Sequence, residues 1–537
     1  MSKYLTGTIF SIALLSCLLS PASAQPELDI SFNGTGKVTT DVGAGSDYIS
    51  EVLVQPDGRI VAVGYTGCGE AATCFALTRY NTNGSLDTSF GDNGRVITDF
   101  DPNAITEAAA AAVLQPDGKI IAAGFAAFIN PGPAVFAVMR YNTDGSLDTA
   151  FGNGGRVSTA IVQHLHHIRG VALAPDGKIV VAGDYFSANQ NTQTLIVRYN
   201  AEGSLDATFG SGGKVTDSRG FNLGDANIAW SVAVRPDGKI VTGGSFGQVQ
   251  SASGEDVTLL RYNANGTIDN TSFAGNGRVL ISSPGINEGI RAIAFQPDGR
   301  IVAAGFSGQE FLVMRFTANG LPDDTFDGDG RTTTAIGSGA AANSVVITPG
   351  GKIVVSGSSS QGTFAVACYN PDGSLDTSFS EDGKLAFGFD GSFTTLSYGL
   401  ALDGLGRIVL GGIANDRFGL ARVYTVEPAP VYVTGRTVTP EGQPIRGIKV
   451  GLTNQAGETR WAITSNFGYY WFDGVPTGQT YTLFVRGSKR YTFETRVFGL
   501  NEAIDNLDLI GEPLSGRIVD EKRPGRNESG KALFWRK

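Results

Sequence analysis

Pro56-Asp57-Gly58 followed by Arg59-Ile60-Val61-Ala62-Val63-Gly64 constrains this chain most, because close copies of the stretch return six more times before residue 415. The turn glycines fall at Gly58, Gly118, Gly177, Gly238, Gly299, Gly351 and Gly406, with spacings of 60, 59, 61, 61, 52 and 55 residues. A period in that range marks an array, solenoid or propeller, in which each unit buries its apolar faces only against its neighbours. The abundance of Gly (74 of 537) and scarcity of Met (3) suit many short strands joined by tight turns, so an all-β chain is predicted.

One period breaks into four strand-like runs, at 49–55, 59–64, 75–80 and 94–99, each short, rich in β-branched or aromatic residues and bounded by turn chemistry. Pro-Asp-Gly closes the first pair, with Pro setting φ and Gly supplying a positive φ. The Asn-x-x-Gly-Ser turn at 81–85, with comparable turns at 142–146, 200–204, 263–267 (ending in Thr267) and 370–374, closes the second. Seven four-stranded antiparallel units describe a seven-bladed β-propeller over residues 25–426. The chain starts with a fourth-strand unit, 28–32 running on to Lys37-Val38-Thr39, and ends its repeats with three strands around 397–402, 407–411 and 418–424. Seating the strand from 28–40 beside those three completes blade seven and leaves no open sheet edge.

The pattern Pro-Asp-Gly-Lys/Arg-Ile, then Arg-Tyr-Asn, then Gly-Ser-Leu-Asp-x-x-Phe resembles the delta-60 repeat of bacterial secreted proteins, which is similar to NHL-type propellers; the likeness runs over roughly 28–424. Within it, Phe32, Phe90, Phe151, Phe209, Phe273, Phe326 and Phe379 hold one equivalent position and read as packing anchors between blades. Arg79, Arg140, Arg198, Arg261, Arg315 and Arg422 share another, and Asp87, Asp148, Asp206, Asp269 and Asp323 follow the first five by eight residues. A charge-assisted bond across the second hairpin is the expected role. Cys368 replaces the Arg in blade six, while Asp376 stays.

After Glu427-Pro428-Ala429-Pro430 the period stops; 427–431 reads as a linker. Val433-Thr434-Gly435-Arg436, Gly442-Gln443-Pro444-Ile445 and Gly468-Tyr469-Tyr470-Trp471-Phe472 then resemble the carboxypeptidase regulatory-like domain, a small transthyretin-like β-sandwich, assigned to 432–511. That resemblance implies an accessory module without peptidase chemistry. Alternation sends Tyr470 and Phe472 inward and Tyr469 and Trp471 outward. Residues 512–537, with seven basic side chains and few apolar ones, read as a flexible tail.

Lys3, the apolar run 9–19 and Ala22-Ser23-Ala24 form the three regions of a secretory signal peptide at 1–24; Leu14-Leu15-Ser16-Cys17 is the rival lipoprotein box. A secreted or cell-surface bacterial protein is expected, a monomer without a transmembrane segment. In an oxidising exterior Cys68 and Cys74 are expected to form a disulfide, leaving Cys368 as a buried thiol. The net charge of −10, with no basic stripe, excludes a nucleic-acid partner.

The connections after the second and fourth strands vary in length and composition and emerge on one face of the ring, where loops on a rigid scaffold usually carry binding. The candidate binding residues are therefore Tyr185, Phe186, Phe221 and Phe246, with Tyr469 and Trp471 on the sandwich. The three histidines all lie in His164-Leu165-His166-His167; His164 and His166 share one side of an extended segment and are the candidate metal ligands, but no Cys or further His can join them there, so neither metal nor cofactor is expected. Asp327-Gly328-Asp329-Gly330 aligns with plain turns in other blades and lacks the later Glu of a calcium loop. Two functions remain. One is a non-catalytic binding protein for an extracellular protein or glycan; the alternative is a propeller hydrolase, lyase or sugar oxidoreductase with its site on the same face or in the central channel.

Overall fold

The computed structural model describes residues 28–514 apart from 70–71, 129–133, 161–165, 187–190, 218–224, 249–253, 390–394, 425–430, 455–456, 476–478, 501–503 and 505. The expected signal peptide, linker residues 427–430, most of the tail, His164 and Phe221 thus lie outside the described residues. Two compact units divide between Glu427 and Pro428.

The first unit is a seven-bladed β-propeller. Blade 1 comprises Tyr48–Val54, Ile60–Gly67, Thr73–Tyr80 and Arg95–Thr98, paired antiparallel in that order, and the next five blades repeat the plan. The fourth strand of blade 1 starts at Arg95, well after the Asn81-to-Ser85 turn, because a second tight loop through Asp87, Phe90 and Gly94 intervenes. Blade 7 takes Thr395–Leu402, Ile408–Ala414 and Arg417–Val423 from one end of the repeats and Lys37–Thr40 from the other, in the register Lys37 to Ala421 and Thr40 to Phe418. The first strand of blade 7 packs against the first strand of blade 1, so the ring is closed. Each sheet is covered on both faces by its neighbours, which is why second and third strands such as Ile60–Gly67 and Val135–Tyr141 are almost wholly apolar and buried.

The recurrent Arg and Phe tie blades together. Arg79 donates to Asp87 at 2.7 Å within its own blade and to the Thr143 carbonyl of the next, while its guanidinium lies 4.6 Å from the centroid of the Phe90 ring. Arg140, Arg198, Arg261 and Arg315 repeat this, reaching the carbonyls of Ala201, Ala264, Ala318 and Pro371. Arg422 of blade 7 reaches Thr82 of blade 1, and its carboxylate is Asp29 at 2.6 Å, from the N-terminal segment. The seven phenylalanines are fully buried. A turn glycine of the following blade sits on six of these rings: a Cβ at Gly203 would meet the Phe151 ring at 3.0 Å. Blade 6 is the exception, for a geometric reason. The receiving carbonyl always lies in the next blade's third-to-fourth-strand turn, and blade 7 has no such turn because its fourth strand arrives from the other end of the chain. With no acceptor for an arginine, the buried Cys368 suffices, and Asp376 keeps only the cation that precedes the second strand, Lys352 at 2.5 Å, whose counterparts pair with the aspartates of the other blades as well.

Cys68 and Cys74 form a disulfide. Asp327-Gly328-Asp329-Gly330 is a turn with Asp327, Gly328 and Gly330 at positive φ, held by an N–H of Asp327 to the Asp372 carbonyl. The second unit is a sandwich of two four-stranded sheets. One is ordered Tyr469–Val475, Val431–Val438, Leu509–Pro513, Tyr491–Phe493; the other Thr459–Ile463, Lys449–Thr453, Gln479–Val485, Arg496–Leu500. Val433, Leu452, Tyr470, Phe472 and Leu483 meet in its core, while Tyr469 and Trp471 face outward at 51% and 55% exposure. Among the described residues no helix is long and apolar enough to cross a membrane.

Candidate functional site: a cavity lined by seven bulged residues

The first strand of every blade lines the axis of the ring, and every one is interrupted at the same place. Its pairing with the second strand skips Ser50, Ala110, Arg169, Trp230, Arg291, Asn343 and Tyr398 in blades 1 to 7, leaving seven β-bulges. The sequence enforces this through a second-strand glycine six residues after each turn glycine. A Cβ at Gly64 would lie 1.7 Å from the Tyr48 carbonyl oxygen, and one at Gly357 would lie 2.0 Å from that of Ala341, so only glycine lets the first strand close in. A bulge takes one residue out of the ladder and re-aims its side chain. Here all seven line a single cavity of 710 Å³. Its other walls come from neighbouring residues in the middle of the same first strands, such as Val171, Val232, Ile293 and Val345, with Tyr65 from a second strand.

Two guanidiniums meet around one indole. Arg169 stacks with its carbon centre 3.8 Å from the Trp230 centroid, and its Nε donates to Asp184 at 2.5 Å. Arg291 lies 5.8 Å from the Trp230 centroid and 5.0 Å from that of Phe306. Its Nη1 donates to Asn343 Oδ1 at 2.6 Å, and Asn343 in turn donates to the Ser397 carbonyl at 2.6 Å, linking the bulges of blades 5, 6 and 7. Burial holds the Arg291 pKa below the ordinary arginine value, and the like charge of Arg169 adds to the effect. Tyr48 and Tyr65 stack at 4.8 Å on the blade 1 wall; burial, helped by Tyr48 and Tyr398, pushes the Tyr65 hydroxyl up to about 12.

Glu51 is the acidic residue of the cavity wall, and burial pushes its carboxyl up to about 7 against the single N–H bond from Val52. The folded state therefore keeps a proton that the unfolded chain releases near 4.5. Stability from this group is present below 4.5 and is lost as pH rises through about 7, an effect of about 3 kcal/mol if the whole shift is realised. Glu107, whose carboxyl burial also pushes up to about 7, acts with the same sign. We expect Glu51→Gln to raise the melting temperature at pH 8, to leave it nearly unchanged at pH 4, and so to flatten the pH dependence between them. A pH profile parallel to that of the parent would refute the assignment.

The aromatic residues singled out in the sequence do not converge. Tyr185 closes the second strand of blade 3 with its hydroxyl 2.6 Å from Gln193, Phe186 beside it is 40% exposed, and Phe246 of blade 4 lies under Arg278 at 4.6 Å. None of these lines the channel cavity. Tyr469 and Trp471 share a shallow hollow on the sandwich with Ile463 and Asn506, where Trp471 stacks on Tyr432 at 4.7 Å. The backbone of His166 pairs with Tyr185, and its neighbour His167 approaches Asp184 at 3.6 Å. Among the described residues, the one cluster with three metal-ligand atoms in reach joins Cys74, Asp99 and Glu107. The disulfide removes Cys74 from it, and Glu107 accepts the N–H groups of Phe100 and Asp101 at 2.7 and 2.8 Å, so the cluster is a loop staple. The bulged residues were overlooked in the sequence, although they stand eight residues before each turn glycine and read Ser, Ala, Arg, Trp, Arg, Asn, Tyr in otherwise apolar strands.

No curated protein sequence matches the chain. Among solved structures it is similar to the WD40 β-propeller domain of Doa1 (TM-score 0.42, 10% identity, 71% of this chain and 94% of that one). It is also similar to the periplasmic gluconolactonase PpgL of Pseudomonas aeruginosa (TM-score 0.40, 12% identity, 82% and 99%). At such distances nothing about activity follows from either. The family model described as a domain of unknown function (DUF5122) β-propeller matches 55–90, 115–151, 174–209, 235–271, 296–326 and 349–379, and the carboxypeptidase regulatory-like domain matches 432–507. The chain thus carries six DUF5122 β-propeller repeats and a carboxypeptidase regulatory-like domain towards its C-terminal end.

Proposed function

We propose that this is an exported, non-catalytic binding protein that holds an extracellular glycan or peptide in the channel cavity, with Tyr185, Phe186 and Phe246 as outlying contacts on the variable loop face. One observation carries the reading: clasp and anchor positions are nearly the same in every blade, whereas the seven bulged residues are of six different types and meet in one cavity. Its volume falls in the range of roughly 300–1,000 Å³ usual for ligand sites. Residues 1–24 act as the export signal in this reading, and the Cys68–Cys74 bridge suits an oxidising compartment.

Two of the three cavity serines bond to the backbone: Ser50 donates to the Ala109 carbonyl at 2.8 Å, and Ser231 accepts the Ile293 N–H at 3.2 Å. Neither is paired there with a base, as an activated nucleophile requires. The alternative, a hydrolase, lyase or sugar oxidoreductase in the same cavity, draws on Glu51, whose carboxyl near 7 suits a general base.

The test is a glycan and peptide binding screen of the exported chain, repeated with Ala110→Trp, which places an indole in the cavity from a small bulged residue. We expect binding to vanish in that variant while the melting temperature holds. Binding that survives Ala110→Trp but is lost on Tyr185→Ala, Phe186→Ala or Phe246→Ala would move the site to the loops. Turnover of a bound glycan that Glu51→Gln abolishes would establish the enzyme instead.

A further inference from the structure

We propose that the ligand of the channel cavity carries a carboxylate, and that it is an acidic saccharide whose carboxylate is received by Arg291 together with Arg169; the proposal rests on the cavity being the binding site.

The argument starts from charge balance. Each of the six clasp arginines faces an aspartate at 2.6–2.8 Å. Arg291 is half-buried, yet among the described residues no carboxylate lies within ion-pair distance of it; its Nε has no hydrogen-bond partner, and Asn343, a neutral amide, takes its one bond. A desolvated guanidinium with no carboxylate in contact is costly, since Glu255 acts on it only from beyond ion-pair distance, and the protein aggravates the cost by setting a second guanidinium against the same indole. Arg169 spends only Nε on Asp184, leaving its Nη groups without protein hydrogen bonds among the described residues. Two guanidinium edges beside one wall of a cavity, in a chain whose net charge is −10, are a local reversal of sign. A carboxylate matches the planar fork of a guanidinium in a way that a spherical anion does not.

The remaining walls select the body of the ligand. Trp230, Tyr398, Tyr48 and Tyr65 line the same cavity. Aromatic faces beside two guanidinium donors suit a ring that is apolar on its C–H faces and polar at its edge, which describes a uronate sugar better than inorganic phosphate or a flexible aliphatic acid.

The experiment uses titration calorimetry on the exported chain with trimers of galacturonate, mannuronate and glucuronate, their methyl esters, and inorganic phosphate. We expect at least one acidic trimer to bind, its ester to bind about 10- to 100-fold more weakly, and Arg291→Gln to cause a similar loss, as expected for a hydrogen bond to a charged group. Arg291→Gln is also expected to leave the melting temperature of the empty protein unchanged or raised, because it removes an unpaired cation. A merely structural Arg291 would give a lower one, which would overturn the proposal. Esters binding as tightly as acids would overturn the charge argument while leaving the cavity as the site. Binding of phosphate alone would overturn the saccharide assignment. Binding of acidic trimers that is indifferent to Ala110→Trp would overturn the cavity itself.

Discussion

Deleting residues 28–40 is expected to unfold the propeller rather than loosen it, with the truncated protein melting far below the parent or aggregating on expression. The segment contributes the fourth strand of blade 7, so its loss bares the long edge of Arg417–Val423. It also carries Asp29, fully buried, which accepts from Arg422 Nε at 2.6 Å, Arg407 Nη1 at 2.9 Å and Tyr424 OH at 2.8 Å. Burial alone would raise the Asp29 pKa, but Arg422, Ser31, Tyr424 and Arg407 outweigh it and hold the carboxyl below its ordinary value. Removing one partner from such a buried pair costs about 3–5 kcal/mol. Phe32 goes with it, a fully buried ring under Arg422, whose loss costs about 3–5 kcal/mol more. Together these approach the roughly 5–15 kcal/mol by which folded proteins are stable. Calorimetry and size exclusion check this, and adding a synthetic 28–40 peptide should restore part of the melting temperature. A truncated chain that unfolds like the parent would show that the ring holds without its closing strand.

Arg315→Ala should cost about 3–5 kcal/mol through one side chain. Arg315 is 4% exposed and joins Asp323 at 2.7 Å, Thr325 at 2.7 Å, the Pro371 carbonyl of the next blade and the face of Phe326. Burial would raise the Asp323 pKa, but Thr325 and Arg315 outweigh it, so the carboxyl is held low. With a depressed folded value, that stability is present above the unfolded pKa and lost as pH falls through the folded one. The variant should therefore lose most relative to the parent at pH 7 and least near pH 2. Urea midpoints at both pH values measure this. Equal midpoints for variant and parent at pH 7 would refute the clasp, and Cys368→Ala, at the one blade without it, serves as the mild comparison.

Blade count, turn positions, the Phe anchors and the Arg–Asp clasps were legible in the sequence because each is set by contacts inside one repeat or between adjacent ones, and a repeated chain states such contacts many times. Tyr470 and Phe472 could be placed inward by simple alternation for the same local reason. The seven-residue cavity was not legible in that way. Ser50 and Tyr398 are far apart in the chain and come onto adjacent blades only when the ring shuts, and that closure depends on how many blades pack and on Lys37–Thr40 reaching Arg417–Val423. The glycines at Gly64 and its equivalents encode the bulges, but a bulge re-aims a side chain against the alternation by which strands are read, so Arg169, Trp230 and Arg291 passed as ordinary strand residues. Sequence alone determined the repeating scaffold, since local turn and packing chemistry suffices for it. Only the tertiary structure decided what the scaffold surrounds, because convergence on an axis is a property of the closed ring and of no single repeat.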